Sequence, residues 1–171
     1  MRFGVVCGGV PEKSTSPYLF GDLLALARQS WVRQMAGRLC ELGYDDYRRS
    51  DAATLRLLRR GPVPIGQLGS VLGTTRQAAR KVVDGLLRRG YARTESDPRD
   101  ARRTNIVLTP SGHEYARVVV EVIAVLNREL SARVDPAELR AADGVLRAVI
   151  AADGGLAGLV ALNPAPDPPP G

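Results

Sequence analysis

Apolar positions along the chain fall into helical spacing almost throughout. Phe20, Leu24, Ala27, Trp31 and Met35 follow Ser16-Pro17 and predict a long first helix running to about residue 42. A second helix is expected after Asp51 as N-cap, with Leu55, Leu57 and Leu58 apolar and Gly61-Pro62 as its stop. Ile65, Leu68, Val71 and Leu72 mark a short third helix ended by Gly73, and Thr75 caps a fourth that stops at Gly90. The spacing then changes to that of strands, near residues 92–95 and 104–108, around the charged tip Asp97-Pro98-Arg99-Asp100-Ala101-Arg102-Arg103.

Beyond the hairpin, Thr109-Pro110 reads as N-cap and first helical residue of a fifth helix, with Tyr115, Val119, Val122, Ile123, Leu126 and Leu130 on one side. Asp135-Pro136-Ala137-Glu138 has the spacing of a capping box and opens a sixth, carrying Leu139, Ala142, Leu146, Val149 and Ile150. The proline-rich stretch from Asn163 can form neither helix nor sheet. The expected organisation is a loose arm over 1–16, one domain over 17–153 and a disordered tail over 154–171. Within the domain, 51–108 read as helices joined by a tight turn and followed by a hairpin, between the long helices of 17–42 and 109–153. The fold class is mainly α with a small β-wing.

Charge sharpens this picture. The chain of 171 residues carries a net +6, and residues 75–103 hold nine cations against four carboxylates, a local excess of five. A concentrated basic patch is the electrostatic footprint of a nucleic-acid reader. At about 100° per residue, Arg76, Gln77, Arg80, Lys81, Asp84 and Arg88 fall within an arc of roughly 140° on the fourth helix. Ala78, Ala79, Val82, Val83 and Leu86 fall opposite. By itself a charged face is a solvated face. The basic hairpin directly after it favours nucleic acid, since guanidinium groups pair with phosphates and release counterions.

Leu68, Val71-Leu72-Gly73, Thr75, Val82-Val83-Asp84, Leu86, Gly90, the hairpin Asp97-Pro98-Arg99-Asp100-Ala101-Arg102 and Leu108-Thr109-Pro110-Ser111-Gly112 together resemble the MarR family of winged-helix transcription regulators. The resemblance runs from about Tyr18 to Ile150. It departs at Pro64, where many members carry a capping Thr or Ser, at Gly66 and Gly69 in the third helix, and at Thr74, usually apolar.

The resemblance implies an obligate homodimer whose first and last two helices interlock, with Leu19, Phe20, Val119, Ile123, Leu126, Leu139, Leu146 and Ile150 at the interface. The valine-rich run 118–123 agrees, being apolar over more than half the helix circumference; a central helix buried within one chain gives the same pattern. The implied function is a regulator that binds a pseudo-palindromic operator, as a repressor relieved by a small-molecule effector. Trp31, Tyr44 and Tyr47 are candidates for the effector pocket that relatives place between the lobes, and equally candidates for core.

Arg76, Gln77, Arg80 and Lys81 are expected in the major groove, Gln77 and Arg80 being suited to bidentate contact with adenine and guanine. Lys81, Arg88, Ser70, Thr74 and Thr75 are assigned to phosphates, and Arg102 and Arg103 to the same DNA-binding patch. Arg99, at the stiffened tip, is expected in the minor groove. Asp97 and Asp100 are expected to accept hydrogen bonds from Arg102 and fix the loop.

Other chemistries lack support. The run Cys7-Gly8-Gly9-Val10-Pro11-Glu12-Lys13-Ser14 has Cys7 and Glu12 where a phosphate loop needs glycine, and is not one. A single histidine, His113, and two cysteines leave no metal-sensing cluster, and no catalytic triad context is present, so neither a cofactor nor an enzyme is expected. Two alternatives stand beside the main reading: redox sensing through Cys7, which no cation immediately flanks, and a winged-helix protein-interaction module without DNA. Cys40 reads as a small core hydrophobe. With no apolar run of membrane length and no signal-peptide pattern, a cytoplasmic protein is expected.

Overall fold

The computed structural model describes residues 19–98 and 100–152. Ser16-Pro17, Cys7, Arg99 and the proline-rich tail lie outside them. Six helices and one small sheet follow in the order α1 (Phe20–Glu41), α2 (Asp51–Leu58), β1 (Val63–Pro64), α3 (Leu68–Val71), α4 (Arg76–Arg88), β2 (Ala92–Asp97), β3 (Asp100–Leu108), α5 (Pro110–Ser131) and α6 (Pro136–Ala151). This is a winged helix-turn-helix flanked by long helices, mainly α with a β-wing.

The core is built from one stripe of each element. Met35 and Leu39 of α1, Leu55, Leu57 and Leu58 of α2, Leu68 of α3, and Val83 and Leu86 of α4 meet Ile106 and Leu108 of β3 and Val119, Val122 and Leu126 of α5. The stripe in α1 is half a helix long, because residues 20–29 are all exposed. Chain reversal after α1 uses Gly43 at φ +87°, with the Tyr44 amide donating to the Leu39 carbonyl at 2.8 Å.

Three features differ from the sequence expectation. Asp51 is not the N-cap of α2. Ser50 holds that position, and Asp51 is the first helical residue with its side chain 1% exposed. A strand not foreseen, β1, pairs antiparallel with β3 through Val63↔Ile106 and Pro64↔Asn105, giving the sheet order β1-β3-β2. Pro64 is tolerated because β1 is an edge strand, where a missing N–H is harmless. The third helix is accordingly only Leu68–Val71.

Gly69 in that helix is a packing requirement rather than a weakness. A Cβ there would lie 3.1 Å from both the Thr74 carbonyl oxygen and the Arg76 amide nitrogen, so its absence lets the turn close onto α3. The start of α5 is fixed in a similar way. Thr109 caps it, its Oγ1 accepting from the Gly112 amide at 3.1 Å and donating to the Gly90 carbonyl at 2.6 Å. A Cβ on Gly112 would sit 1.8 Å from the Tyr91 carbonyl oxygen. The Leu-Thr-Pro-Ser-Gly run therefore seats α5 directly on the entry to β2.

The expected capping box opens α6, where the Asp135 carboxylate accepts from the Ala137 amide and Glu138 from the Asp135 amide. No residue of α6 is buried.

Candidate nucleic-acid interface

Helix α4 begins with Thr75, whose Oγ1 accepts from the Ala78 amide at 3.1 Å, as its sequence position predicts. Ala79, Val83, Gly85 and Leu86 are buried, so the helix is anchored along one side. Arg76, Gln77, Arg80, Lys81 and Arg88 are exposed on the other. The structure thus brings the five named donors of α4 onto one open face. Asp84 shares that face and accepts from Arg80 Nε at 3.3 Å, a contact that does not use the two terminal nitrogens of the Arg80 fork. A guanidinium held at Nε and open at its two Nη groups has the geometry for a planar two-acceptor edge.

Ahead of α4, Ser70, Thr74 and Thr75 are all exposed near its N-terminus. The Ser70 hydroxyl already donates to the Gln67 carbonyl at 2.9 Å, whereas the turn carrying Thr74 is fixed by its amide donating to the Gly69 carbonyl at 2.8 Å.

The wing packs on α4 through β2. Arg102 and Arg103 are exposed on β3. The loop is not fixed by the Arg102 guanidinium, contrary to expectation. Asp100 Oδ1 accepts from the Arg102 backbone amide at 3.0 Å, and Asp100 Oδ2 pairs with Arg103 Nε at 3.3 Å. Asp97 accepts from Asn105 Nδ2 at 3.2 Å. Arg99 lies outside the described residues.

The nine cations of the patch are not equivalent. Arg93 pairs with Glu95 on the same strand. Arg89, at the end of α4, turns inward. Its Nη1 and Nη2 donate to Asp51 Oδ2 and Oδ1 at 2.8 and 3.0 Å, Nη1 also donates to the Asp46 carbonyl at 3.0 Å, and Nε donates to Gly85 at 3.0 Å. Asp51 Oδ2 takes a further bond from Tyr115 Oη at 3.0 Å. Sequence reasoning saw a cap in Asp51, one more patch cation in Arg89 and an apolar stripe residue in Tyr115. Only the long-range contacts, 38 and 64 residues apart, reveal them as one unit.

Trp31, Tyr44 and Tyr47 pack against the hydrophobic core. Tyr44 stacks on Tyr115 with ring centroids 4.9 Å apart, and Tyr47 Oη approaches Met35 Sδ at 3.8 Å. Burial, with the nearby Asp51 charge, pushes the Tyr47 hydroxyl above its ordinary value. Cys40, expected in the core, is exposed at the end of α1.

The residues expected at a dimer interface divide into two groups. Val119 and Leu126 are buried within this chain and Ile123 packs against the same core, because α1 and α2 cover α5. The valine-rich run is thus explained inside the chain. Leu19, Phe20 and Leu146 are exposed, and Leu139 and Ile150 are half-buried. Phe20, Leu23, Leu24 and Ala27 of α1 line an apolar groove with Ala142, Val145 and Leu146 of α6. Among the described residues no helix is long and apolar enough to cross a membrane.

Comparison with known proteins agrees with this geometry. Residues 46–103 match a model described as the MarR family. Uncharacterized proteins of Mycobacterium tuberculosis and Mycobacterium bovis are 33% identical over 88 residues, covering 52% of this chain and 62% of theirs, so the chain spans under two thirds of the curated relatives it matches. Among solved structures, a probable transcriptional regulator from Pseudomonas aeruginosa is 26% identical with a TM-score of 0.66, covering 77% of this chain and 96% of that one. The S. aureus MepR–DNA complex gives a TM-score of 0.68 at 17% identity over 79% and 98% of the two chains. The PcaV regulator of Streptomyces coelicolor, solved with its natural ligand, gives 0.65 at 24% identity over 79% and 92%. The last two likenesses are of fold. The family model thus falls on the helix-turn-helix and wing, and residues 46–103 are similar to the MarR family inside a fold shared with these regulators.

Proposed function

We propose that this protein is a sequence-specific, double-stranded-DNA-binding transcription regulator and not an enzyme. In this reading it acts in the cytoplasm as a homodimer on a pseudo-palindromic operator, and represses until a small ligand relieves it. One observation carries the reading: the donor face of α4 is open while its opposite side is packed into the core, beside an exposed basic wing. Arg76, Gln77, Arg80 and Lys81 enter the major groove, Gln77 reading adenine and Arg80 guanine. Arg88, Ser70, Thr74 and Thr75 hold phosphates, Arg102 and Arg103 flank the wing contact, and Arg99 takes the minor groove. The solved DNA complex of a protein with this fold supports the mode of docking.

Dimerisation rests on the exposed apolar residues Leu19, Phe20, Leu23, Leu24, Val145, Leu146 and Val149, gathered on the two ends of the chain. A lone chain leaves that surface in water, which a second copy would cover. A small-molecule effector completes the reading. Its support is the ligand complex of a fold relative and the half-buried aromatics Trp31, Tyr44 and Tyr47 packed against the core. The domain limits 17–153 and the split at 51–108 follow the same reading.

The test is duplex affinity at two salt concentrations, followed by footprinting on retained genomic fragments. For 6–10 phosphate contacts, affinity should fall by roughly 10³–10⁵ between about 50 and 200 mM salt. Two protected half-sites should appear roughly 34–36 Å apart. Salt-independent binding, or none, would instead support a protein-interaction module.

A further inference from the structure

Removing Arg89 from the basic patch and turning it inward costs the chain a DNA-facing cation, and the structure shows what it gains. Arg89 closes α4, and its fork meets both oxygens of Asp51, the first residue of α2. Tyr115, in α5, reaches the same carboxylate. Its ring lies between Tyr44 and Tyr91, with centroids 4.9 and 4.4 Å away. The Arg89 guanidinium stands 5.4 Å above the Tyr91 ring, and Tyr91 Oη donates to Asp46 at 3.3 Å. Asp51 is 1% and Tyr115 0% exposed, and the Arg89 side chain 13%. The recognition helix, α2 and α5 thus end on one buried carboxylate.

We propose that Asp51, Arg89 and Tyr115 are positioning residues that set the angle of the recognition helix against α5, and with it the half-site spacing the protein accepts. They do so without touching DNA. The inference rests on the DNA-binding reading above. A bidentate guanidinium–carboxylate pair tolerates one mutual orientation, unlike an apolar contact, which slides. Arg89 is rigidly attached to the last turn of α4 through its Nε bond to Gly85, so rotating α4 breaks two charged bonds at once. Tyr115 holds the other side of Asp51, so the reference for that angle is α5. If two copies pair through the helices that flank this lobe, a few degrees at the junction become a displacement of the recognition helices along the duplex.

Charge and position predict opposite signs. Asp51→Asn raises the net charge by one, so electrostatics alone predicts tighter DNA binding. Positioning predicts weaker binding to the preferred spacing. Tyr115→Phe alters no charge and keeps both ring stacks.

The experiment uses full-length protein and duplexes that the parent enriches from a randomised pool. Half-site spacing is then varied by one and two base pairs each way, with an unrelated duplex at low salt as control. The parent should show a sharp optimum. Tyr115→Phe, Asp51→Asn and Arg89→Lys should each lose about tenfold or more at that optimum, the scale of a hydrogen bond to a charged group. Shifted spacings and the unrelated duplex should change far less, flattening the profile. If Asp51→Asn does not fold, Tyr115→Phe carries the test. An unchanged spacing profile in folded variants would overturn the inference and leave the DNA-binding reading intact. Failure of the parent to enrich any duplex would overturn both.

Discussion

Asp51→Ala should destabilise the protein by about 3–5 kcal/mol, the cost of breaking a buried ion pair from one side. The figure follows from what the truncation strands. The Arg89 fork loses both its acceptors at 2.8 and 3.0 Å, and Tyr115 Oη, fully buried, loses its acceptor at 3.0 Å. The stranded hydroxyl alone costs about 1–3 kcal/mol. Two features hold the total below a simple sum. Asp46 Oδ2 already lies 3.7 Å from Arg89 Nη1 and can close on it, and the Arg89 side chain retains some contact with water. Against a domain stability of roughly 5–15 kcal/mol, the loss is a fifth or more of the whole. Urea unfolding at fixed protein concentration measures it. The companion is a double variant, Asp51→Leu with Arg89→Met, in which no charge is stranded. It should recover most of the loss, since apolar replacement of a buried pair is often neutral. A loss under about 1 kcal/mol for Asp51→Ala would mean that the junction is solvated in solution and would refute the reasoning.

Gly112→Ala should be among the most damaging single-methyl additions, at about 3 kcal/mol or more by denaturant midpoint, because the new carbon meets the Tyr91 backbone oxygen at 1.8 Å. Burial, with the Asp51 charge, raises the Tyr115 hydroxyl well above 10. Its contribution is therefore whole below pH 10 and is lost as pH rises toward the folded value, at up to about 1.4 kcal/mol per pH unit. Alkaline unfolding curves of the parent should fall more steeply above pH 10 than those of Tyr115→Phe. Val145→Glu, on an exposed position of α6, should fold normally and shift light scattering from dimer to monomer, whereas an unchanged dimer mass would remove α6 from the interface. Arg102→Ala should keep the thermal midpoint, because Asp100 holds the residue by its backbone, while lowering the salt slope of DNA binding by about 1.

How much of this was legible in the sequence depends on the range over which each feature is decided. The caps at Thr75, Thr109 and Asp135 were readable because a cap is settled within four residues. The two faces of α4 were readable because helical period alone sorts them. Strand β1 was not, since two residues including a proline become a strand only by meeting Ile106 and Asn105 some forty residues on. Val119 and Leu126 were assigned to an interface because a pattern shows that a face is covered, never by which chain. Arg102 and Arg103 were transposed in role at the wing, where the direction of one side chain out of a tight hairpin decides which reaches Asp100. The Asp51 junction was hidden entirely, as its members lie in three segments and each has an ordinary local explanation.

The sheet that carries the wing has two edges, and each is closed to further strands by a different means. Along β1 there are only two residues, and Pro64 has no amide hydrogen to offer. On the other side β2 carries the Arg93–Glu95 ion pair and mostly exposed polar side chains, so an incoming strand would have to displace a solvated charge network. A hairpin that stands clear of the body has its backbone partly bare, the geometry that invites chains to polymerise edge to edge. Here the short proline strand and the charged strand each make poor templates for an incoming chain, so the wing can remain extended without recruiting one.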